Sequence, residues 1–513
     1  MNIPIKFLLP DGYNTKQLIT ELSKVYTIKT ERPVLKRMAI YDTFDWRLFN
    51  KSLVLTVSGK SLLLRKLFKT DNIHGAVISH PPVFLKDFPA GELKELLTPI
   101  IKMRALFKLV EVYSWSRFHR ILNPDEKTVA RLVYEEIRST RAKKSPALIV
   151  YLWLHPVKGY SKYSHSLSKR LNEAGLSENI KEDIYFKLLA SVNKIPGSYS
   201  SKLNIKLEPD MGSDEAAKII LRSLLQVMKT NEAQIEKDLD TEFLHDYRVA
   251  IRRTRSALGQ IKNVFPSETT LRFKKDFSFL GKLSNQLRDL DVYLLKKDAY
   301  KAMLPSLLRD DIEPLFVYLH NKRSKALKQL VSSFMSDKYR QILLDWEAFL
   351  NEPRRDAPTA SNADQCILTM ARIRINKLYG SIVEAINRIL GNIDDEKFHA
   401  LRIECKKLRY LMEFFSSLFS QKIMNALIEQ LKKLQNKLGD LNDLCIQQEY
   451  LLAISDELLT TNKKNKMVLV SIGSLIGALD GEMRVIKKSL HKTLTDFASP
   501  FNEQLFRDLF ASK

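Results

Sequence analysis

The 513-residue sequence predicts a mostly antiparallel α+β domain followed by an all-helical domain built from two copies of one unit. Three observations carry that prediction. Short β-prone runs separated by turn residues recur through the first 200 positions. Beyond a Pro-, Gly- and Ser-rich stretch from Pro196 to Asp214, apolar residues recur almost everywhere at helical spacing. Within that helical part, HDYRVAIRRTR (His245 to Arg255) returns 154 residues later as HALRIECKKLR (His399 to Arg409), which points to an internal duplication.

In the front part, Leu53 to Leu67 reads as a hairpin about Ser58-Gly59-Lys60, and Arg117 to Glu136 as another about Asn123-Pro124-Asp125. Leu148 to Leu154 is a further β-branched and aromatic run. Helical periodicity covers Thr15 to Val25, Ala90 to Ile101 and Tyr163 to Ala174. Gly59-Lys60-Ser61 looks like the end of a phosphate-binding loop. That loop needs a glycine six residues before its lysine, where Val54 stands, so the tripeptide is read as a turn.

The helical part shows apolar spacing over Ala217 to Met228, Glu242 to Val264, Phe273 to Leu295 and Leu315 to Phe334. A polar, Pro-containing break from Glu352 to Gln365 follows. Helices are expected again over Ile367 to Leu390, Phe398 to Leu418, Met424 to Leu441 and Leu444 to Leu459. The expected organisation is a domain over 1–195, a linker over 196–214 and a helical domain over 215–513. Its two repeats, about 215–350 and 365–500, are each read as a four-helix bundle. The repeat extends to LSNQLRDLDVY (Leu283 to Tyr293) and LQNKLGDLNDL (Leu434 to Leu444), now offset by 151 residues.

The duplicated string places unusual chemistry on one helix face. At about 100° per residue, the His and the cations at +3, +7 and +10 fall within an arc of roughly 80°. The stripes comprise His245, Arg248, Arg252, Arg253 and Arg255 in one copy, and His399, Arg402, Lys406, Lys407 and Arg409 in the other. Tyr247, Ile251 and Leu258, and likewise Leu401, Cys405, Leu408 and Met412, lie on a separate apolar arc. Like charges at i, i+3 and i+4 repel, so each stripe favours an anion, and two favour a long one. The plain alternative is a solvated charged face whose cations pair with Asp289, Asp291 and Asp440; those aspartates would then position the cations.

Lys and Arg number 83 against 59 Asp and Glu, a net charge of +24 that calls for a polyanionic partner. The three cysteines, Cys366, Cys405 and Cys445, form no CxxC pair, and no disulfide framework is expected. MNIPIKFLLPDGYN lacks the basic start and apolar run of a signal peptide. Met467 to Leu479 is too short to span a bilayer and reads as a buried helix. A cytoplasmic protein without membrane insertion is expected. No HExxH, zinc-finger or GxSxG motif is present, and neither a cofactor nor a metal is expected.

The two basic strings, with the RDLDV and LGDLND segments, resemble the CHAD domain over roughly Asp210 to Ser499. The resemblance implies two four-helix units whose basic residues bind inorganic polyphosphate, here the ten stripe residues named above. It also suggests a place on polyphosphate granules or in polyphosphate sensing. Tyr41 to Leu55 (YDTFDWRLFNKSLVL) resembles the YDT-containing stretch of the CYTH domain, a barrel-like triphosphate tunnel, and Leu154 to Tyr160 (LHPVKGY) resembles a segment seen before the helical domain in CYTH–CHAD fusions. Active members place E-x-E-x-K on the first strand. The matching residues here are Asn2, Pro4 and Lys6, and Thr56 and Ser58 stand where two arginines are expected. Hard divalent cations need oxygen ligands, mainly carboxylates, and both glutamates are gone from positions 2 and 4. The front domain is therefore read as non-catalytic, with Arg65, Lys66, Arg104 and Arg117 left as weak anion contacts. Two rivals remain: a metal-dependent triphosphatase using Glu111, Glu135 or Glu136 instead, and a protein that binds nucleic acid non-specifically through charge.

Overall fold

The computed structural model describes residues 4–510 apart from 11, 70–71, 143–144, 177, 179–182, 354–359, 392–394 and 462–465. Asn2 and part of the 352–365 break lie outside the described residues. The chain separates into two compact units, Met1–Ser200 and Ser201–Lys513.

The front unit is one antiparallel sheet of nine strands among the described residues. They are β1 (Ile5–Leu8), β2 (Thr27–Thr30), β3 (Val34–Thr43), β4 (Leu53–Ser58), β5 (Ser61–Lys66), β6 (Asn72–Val77), β7 (Leu106–Leu122), β8 (Thr128–Arg138) and β9 (Ile149–Pro156). Their order is β1, β9, β8, β7, β3, β4, β5, β6, and β2 pairs with the far end of the long β7. Both expected hairpins form: Ser58 pairs with Ser61 across a turn whose Gly59 takes a left-handed φ of 59°, and Leu122 pairs with Thr128. Helices α1 (Thr15–Ser23), α2 (Glu92–Ile101), α3 (Ser161–Glu173) and α4 (Ile184–Ala190) complete the unit. Alternate strand residues bury against them. Leu132 and Leu154 meet Leu18 of α1 and Leu167 of α3, while Leu55 and Leu62 meet Leu93 and Leu97 of α2. The sheet curls enough for β1, β3, β5, β8 and β9 to line one cavity of about 580 Å³.

The YDT stretch has a structural reason. Asp42, at the end of β3, accepts the backbone N–H groups of Thr43 (2.7 Å), Leu48 (2.9 Å) and Phe49 (2.9 Å). One carboxylate thereby closes the turn that carries Trp46 and Leu48 into the core. Burial pushes its pKa up to about 6 even though the three N–H groups favour the anion.

The second unit is helical throughout. Its first half holds α5 (Ser213–Ile235), α6 (Glu242–Gln260), α7 (Ser267–Leu283), α8 (Asn285–Leu295), α9 (Lys297–Met303), α10 (Glu313–Phe334) and α11 (Asp337–Asn351). The second holds α12 (Ile367–Gly391), α13 (Asp395–Phe414), α14 (Gln421–Thr461), α15 (Lys466–Phe497) and α16 (Pro500–Phe510). The segments that lead into α5 and α12 are bonded to each other. Ser213 N–H donates to the Gln365 carbonyl (2.9 Å), and Ile367 N–H donates to the Met211 carbonyl (2.9 Å). The two halves thus start side by side, and α6 of one packs against α13 of the other. Among the described residues, no helix is long and apolar enough to cross a membrane.

One expectation is corrected. The helices expected over Met424 to Leu441 and Leu444 to Leu459 are a single helix, α14. The first copy breaks at Ser284, whose hydroxyl bonds the Gly281 carbonyl in competition with the helix. The second copy has Gln435 at that place. Its side-chain amide donates to the Cys405 carbonyl of α13, and the backbone stays helical through a buried row of Leu431, Leu434, Leu438 and Leu441.

Asp42→Ala leaves three inward-facing N–H groups without their acceptor. At about 1–3 kcal/mol for each unsatisfied buried donor, the front unit should lose at least about 2 kcal/mol. Denaturant titration at pH 7.5, following the front-unit transition, measures it. A loss under about 0.5 kcal/mol would show that the turn does not depend on this carboxylate.

Candidate functional site

The two stripes face each other. On α6, Phe243, Tyr247, Ala250, Ile251, Thr254 and Leu258 are buried, as are Leu401, Cys405, Leu408 and Met412 on α13. Burial of these apolar rows leaves the cationic arcs beside the α6–α13 contact. Arg252, Arg255, Lys406 and Lys407 line one cleft of about 370 Å³, with Ile403 and Tyr410 in its wall. Lys274 of α7 joins them. Sequence reasoning missed Lys274, because the duplicated string does not include it.

The ten expected residues divide by what holds them. Arg248 is fixed by the helix break: its Nη1 donates to the Gly281 carbonyl (3.2 Å), Ser284 Oγ (2.8 Å) and Asn285 Oδ1 (2.9 Å). The break frees that carbonyl from its helical partner, and the guanidinium takes it. Arg402, its counterpart, donates to Asp443 (3.1 Å). His399 shares a hydrogen bond with Asn442 (2.6 Å) and is exposed, while His245 is half-buried. Arg253 leaves the stripe and reaches Glu413 of α13 (2.6 Å), where Arg409 also arrives (3.5 Å). Both guanidinium groups lie over the Tyr410 ring, 5.8 and 5.4 Å from its centroid. Lys407 pairs with Glu404 on its own helix (2.5 Å). Arg252, Arg255 and Lys406 make no ion pair among the described residues.

The aspartates need partial correction. Asp291 pairs with Arg323 (2.7 Å), which also grips Asp238, and so serves α8 and α10 instead of the stripe. Asp440 makes no ion pair with a stripe cation among the described residues. Asp289 does lie near Arg248, and Asp443, which the sequence reading passed over, takes Arg402. Arg288 of α8 adds a cation close to Arg252. Its place in the second copy is Gly439, so comparing the copies conceals it.

The electrostatics record the crowding. Burial first, then Arg402, Arg252 and Arg409, push the Lys406 ammonium down to about 8 against the pull of Asp443. Arg248 falls to about 10, through burial and then Arg252, with Asp289 opposing. Cations from both halves therefore act on one another across the α6–α13 contact.

The rival carboxylates of the front unit have their own partners. Glu111 is held by Arg37 (2.6 Å) and Lys108 (2.7 Å), which bring it down to about 2. Glu136 accepts from Tyr134 (2.7 Å) and Arg138 (2.5 Å), and Glu135 from Ser114 (2.5 Å) and Trp153 (2.9 Å). Of the four basic residues proposed as anion contacts there, Arg65 lines the 580 Å³ cavity, Lys66 is exposed, Arg104 is buried beside Asp45, and Arg117 lines a separate cavity of about 240 Å³.

Residues 219–452 match the family model of the CHAD domain, and the helical unit carries that domain. Among solved structures, the CHAD domain from Ricinus communis is 24% identical with a TM-score of 0.49, covering 57% of this chain and 95% of its own. PptA from Streptomyces chartreusis is 13% identical with a TM-score of 0.42, over 55% of this chain and 98% of its own. HpAC1 from Hippeastrum, described as having a dominant triphosphatase activity, is 15% identical with a TM-score of 0.27, over 39% of this chain and 100% of its own. A comparison with curated protein sequences finds no match.

The Lys406 shift makes a stability prediction. Its folded pKa is below the unfolded value, so at pH 7 the folded chain holds a proton at a cost that is relieved as pH rises from about 8 towards 10.5. Lys406→Met should therefore raise the melting temperature at pH 7, with a gain that shrinks between pH 8 and 10. A gain independent of pH, or a loss at pH 7, contradicts the crowding.

Proposed function

We propose that the CHAD domain of residues 219–452 binds inorganic polyphosphate in the cleft between α6 and α13, and does so without turning it over. One observation carries this reading: Arg252 and Arg255 from one half and Lys406 and Lys407 from the other line the same cleft. Polyphosphate is a row of anions with no base edges to read, so its receptor needs cations in line and little else. Arginine supplies forked, permanently charged donors for phosphate oxygens, and lysine supplies a compact charge. Ten residues of helix rise about 15 Å, enough for several phosphates along each stripe. A single phosphate chain is slim enough to lie in the cleft of about 370 Å³ beside the α6–α13 contact. A nucleic-acid duplex is too broad to enter there and would meet only the exposed rim.

Within this reading the cations have two roles. Arg248, Arg253, Arg402 and Arg409, with His245 and His399, shape the walls and add field. Arg252, Arg255, Lys406, Lys407 and Lys274 meet the ligand. The protein then serves as an attachment to polyphosphate or a sensor of it, and the front unit contributes no hydrolysis. The separate commitments of Glu111, Glu135 and Glu136 favour that view.

Charge reversal of Arg252 with Arg255, or of Lys406 with Lys407, should each weaken long-chain polyphosphate at least tenfold. A charge-assisted hydrogen bond contributes about 1.5–3 kcal/mol, and 1.4 kcal/mol is a factor of ten. Calorimetric titration at two salt concentrations, with duplex DNA as competitor, is the test. Unchanged affinity in both double variants, or stronger binding of DNA than of polyphosphate at equal charge, defeats the assignment. Release of orthophosphate from tripolyphosphate with Mg²⁺ would favour the triphosphatase rival; none above background is expected.

A further inference from the structure

We propose that the curled sheet of the front unit holds a second ligand site, for a small molecule carrying one anionic group on a planar apolar body. Its cavity of about 580 Å³ falls within the range of roughly 300–1,000 Å³ usual for small-molecule pockets.

Charge bookkeeping inside the cavity selects the ligand. Its lining brings Lys6, Arg65 and Lys69 against Glu135, Glu178 and Asp183, which balances formally. Four of these groups are already committed, Glu178 among them, to Ser168 and Asn172. Both Nη atoms of Arg65 donate to Asp183, each at 2.6 Å. Glu135 accepts the Trp153 indole N–H (2.9 Å) and the Ser114 hydroxyl. Lys6 differs: its Nζ lies 3.6 Å from the Tyr151 ring centroid and 4.8 Å from that of Trp153, and among the described residues it makes no ion pair. Burial holds it down to about 8, with Glu135 and Asp183 pulling the other way. An anionic group placed beside Nζ restores what burial removed. One such group is satisfied. A string of phosphates would have one uncommitted interior cation to meet and two carboxylates to repel it.

The walls select the rest of the ligand. Trp153 and Tyr151 present ring faces, and Met38, Ile137 and Ile184 supply aliphatic surface. Phe68 lines the cavity at its opening, 63% exposed and with a left-handed φ of 61°. A bulky residue adopts that conformation only where its surroundings enforce it, and here its backbone N–H donates to Asp183 (2.7 Å). The carboxylate that ties down Arg65 thus also sets an exposed aromatic ring at the mouth, where a planar ligand could slide beneath it.

The probe is naphthalene-2-sulfonate, titrated into the full chain by calorimetry. Neutral 2-naphthol, octanoate and tripolyphosphate serve as comparisons. Naphthalene-2-sulfonate should bind, and Lys6→Met should weaken it at least tenfold while leaving 2-naphthol unchanged, which also reports that the pocket still folds. Phe68→Ala should weaken both aromatic probes, and Arg252→Glu neither. In the unmodified protein, sulfonate affinity should fall as pH rises through about 8, where Lys6 loses its proton. The charged and titratable groups facing Lys6 are Glu135 on β8, Tyr151 on β9, Arg65 on β5 and Asp183 ahead of α4, and burial raises Tyr151 further above that range. A flat pH profile overturns the proposal whether or not Lys6→Met folds. So does displacement of naphthalene-2-sulfonate by tripolyphosphate at lower concentration than by octanoate.

Discussion

Two helices that each carry a row of cations lie against each other, and at that separation like charges repel. The apolar faces of α6 and α13 hold them there, as does the tie between Met211–Ser213 and Gln365–Ile367 at the start of the two halves. Much of the local chemistry follows from that constraint. Some cations are neutralised by acids brought from nearby: Glu413 takes Arg253 and Arg409, and Asp443 takes Arg402. Arg248 is satisfied by backbone and hydroxyl oxygens exposed where α7 ends at Ser284. What remains along the cleft is Arg252, Arg255, Lys406 and Lys274, a cationic lining without acidic partners among the described residues.

The front unit solves the opposite problem. Apart from Lys6, the charges of its cavity are largely matched within the fold, and the Arg65–Asp183 pair is bidentate and largely shielded. A buried pair of this kind costs desolvation and is retained only with good geometry and further hydrogen bonds. Asp183 meets both demands, because it also accepts from Phe68 N–H and Tyr185 N–H. One unit thus leaves several cations without acidic partners, and the other keeps an almost neutral pocket. The net charge of +24 conceals that difference.

Much of this was legible in the residues. The duplicated spacing located both stripes and their apolar backs, since helical periodicity alone determines which side chains share a face. The hairpins about Gly59 and Asn123 were readable from turn chemistry. Less legible was anything set by contact between distant segments. That Arg253 and Arg409 meet at Glu413 depends on the crossing of α6 and α13, which no local pattern encodes. The helix break at Ser284 and its absence at Gln435 turn on one side chain that differs between the two copies. Lys274 and Arg288 were missed for a related reason: duplication draws attention to matched positions, and neither belongs to a matched basic pair.

The central claim is that a polyanion enters the α6–α13 cleft and relieves its charge. Proton uptake on binding tests it most directly, because Lys406 sits near its midpoint at pH 8 and an anion beside it should pull it fully into the charged form. Calorimetric titration with long-chain polyphosphate at pH 8, in buffers of different ionisation enthalpy, measures that uptake. The account predicts up to about half a proton taken up per site, lost in Lys406→Met while binding persists. Heats that do not depend on the buffer, or an uptake unchanged in Lys406→Met, would place the polyanion somewhere other than this cleft.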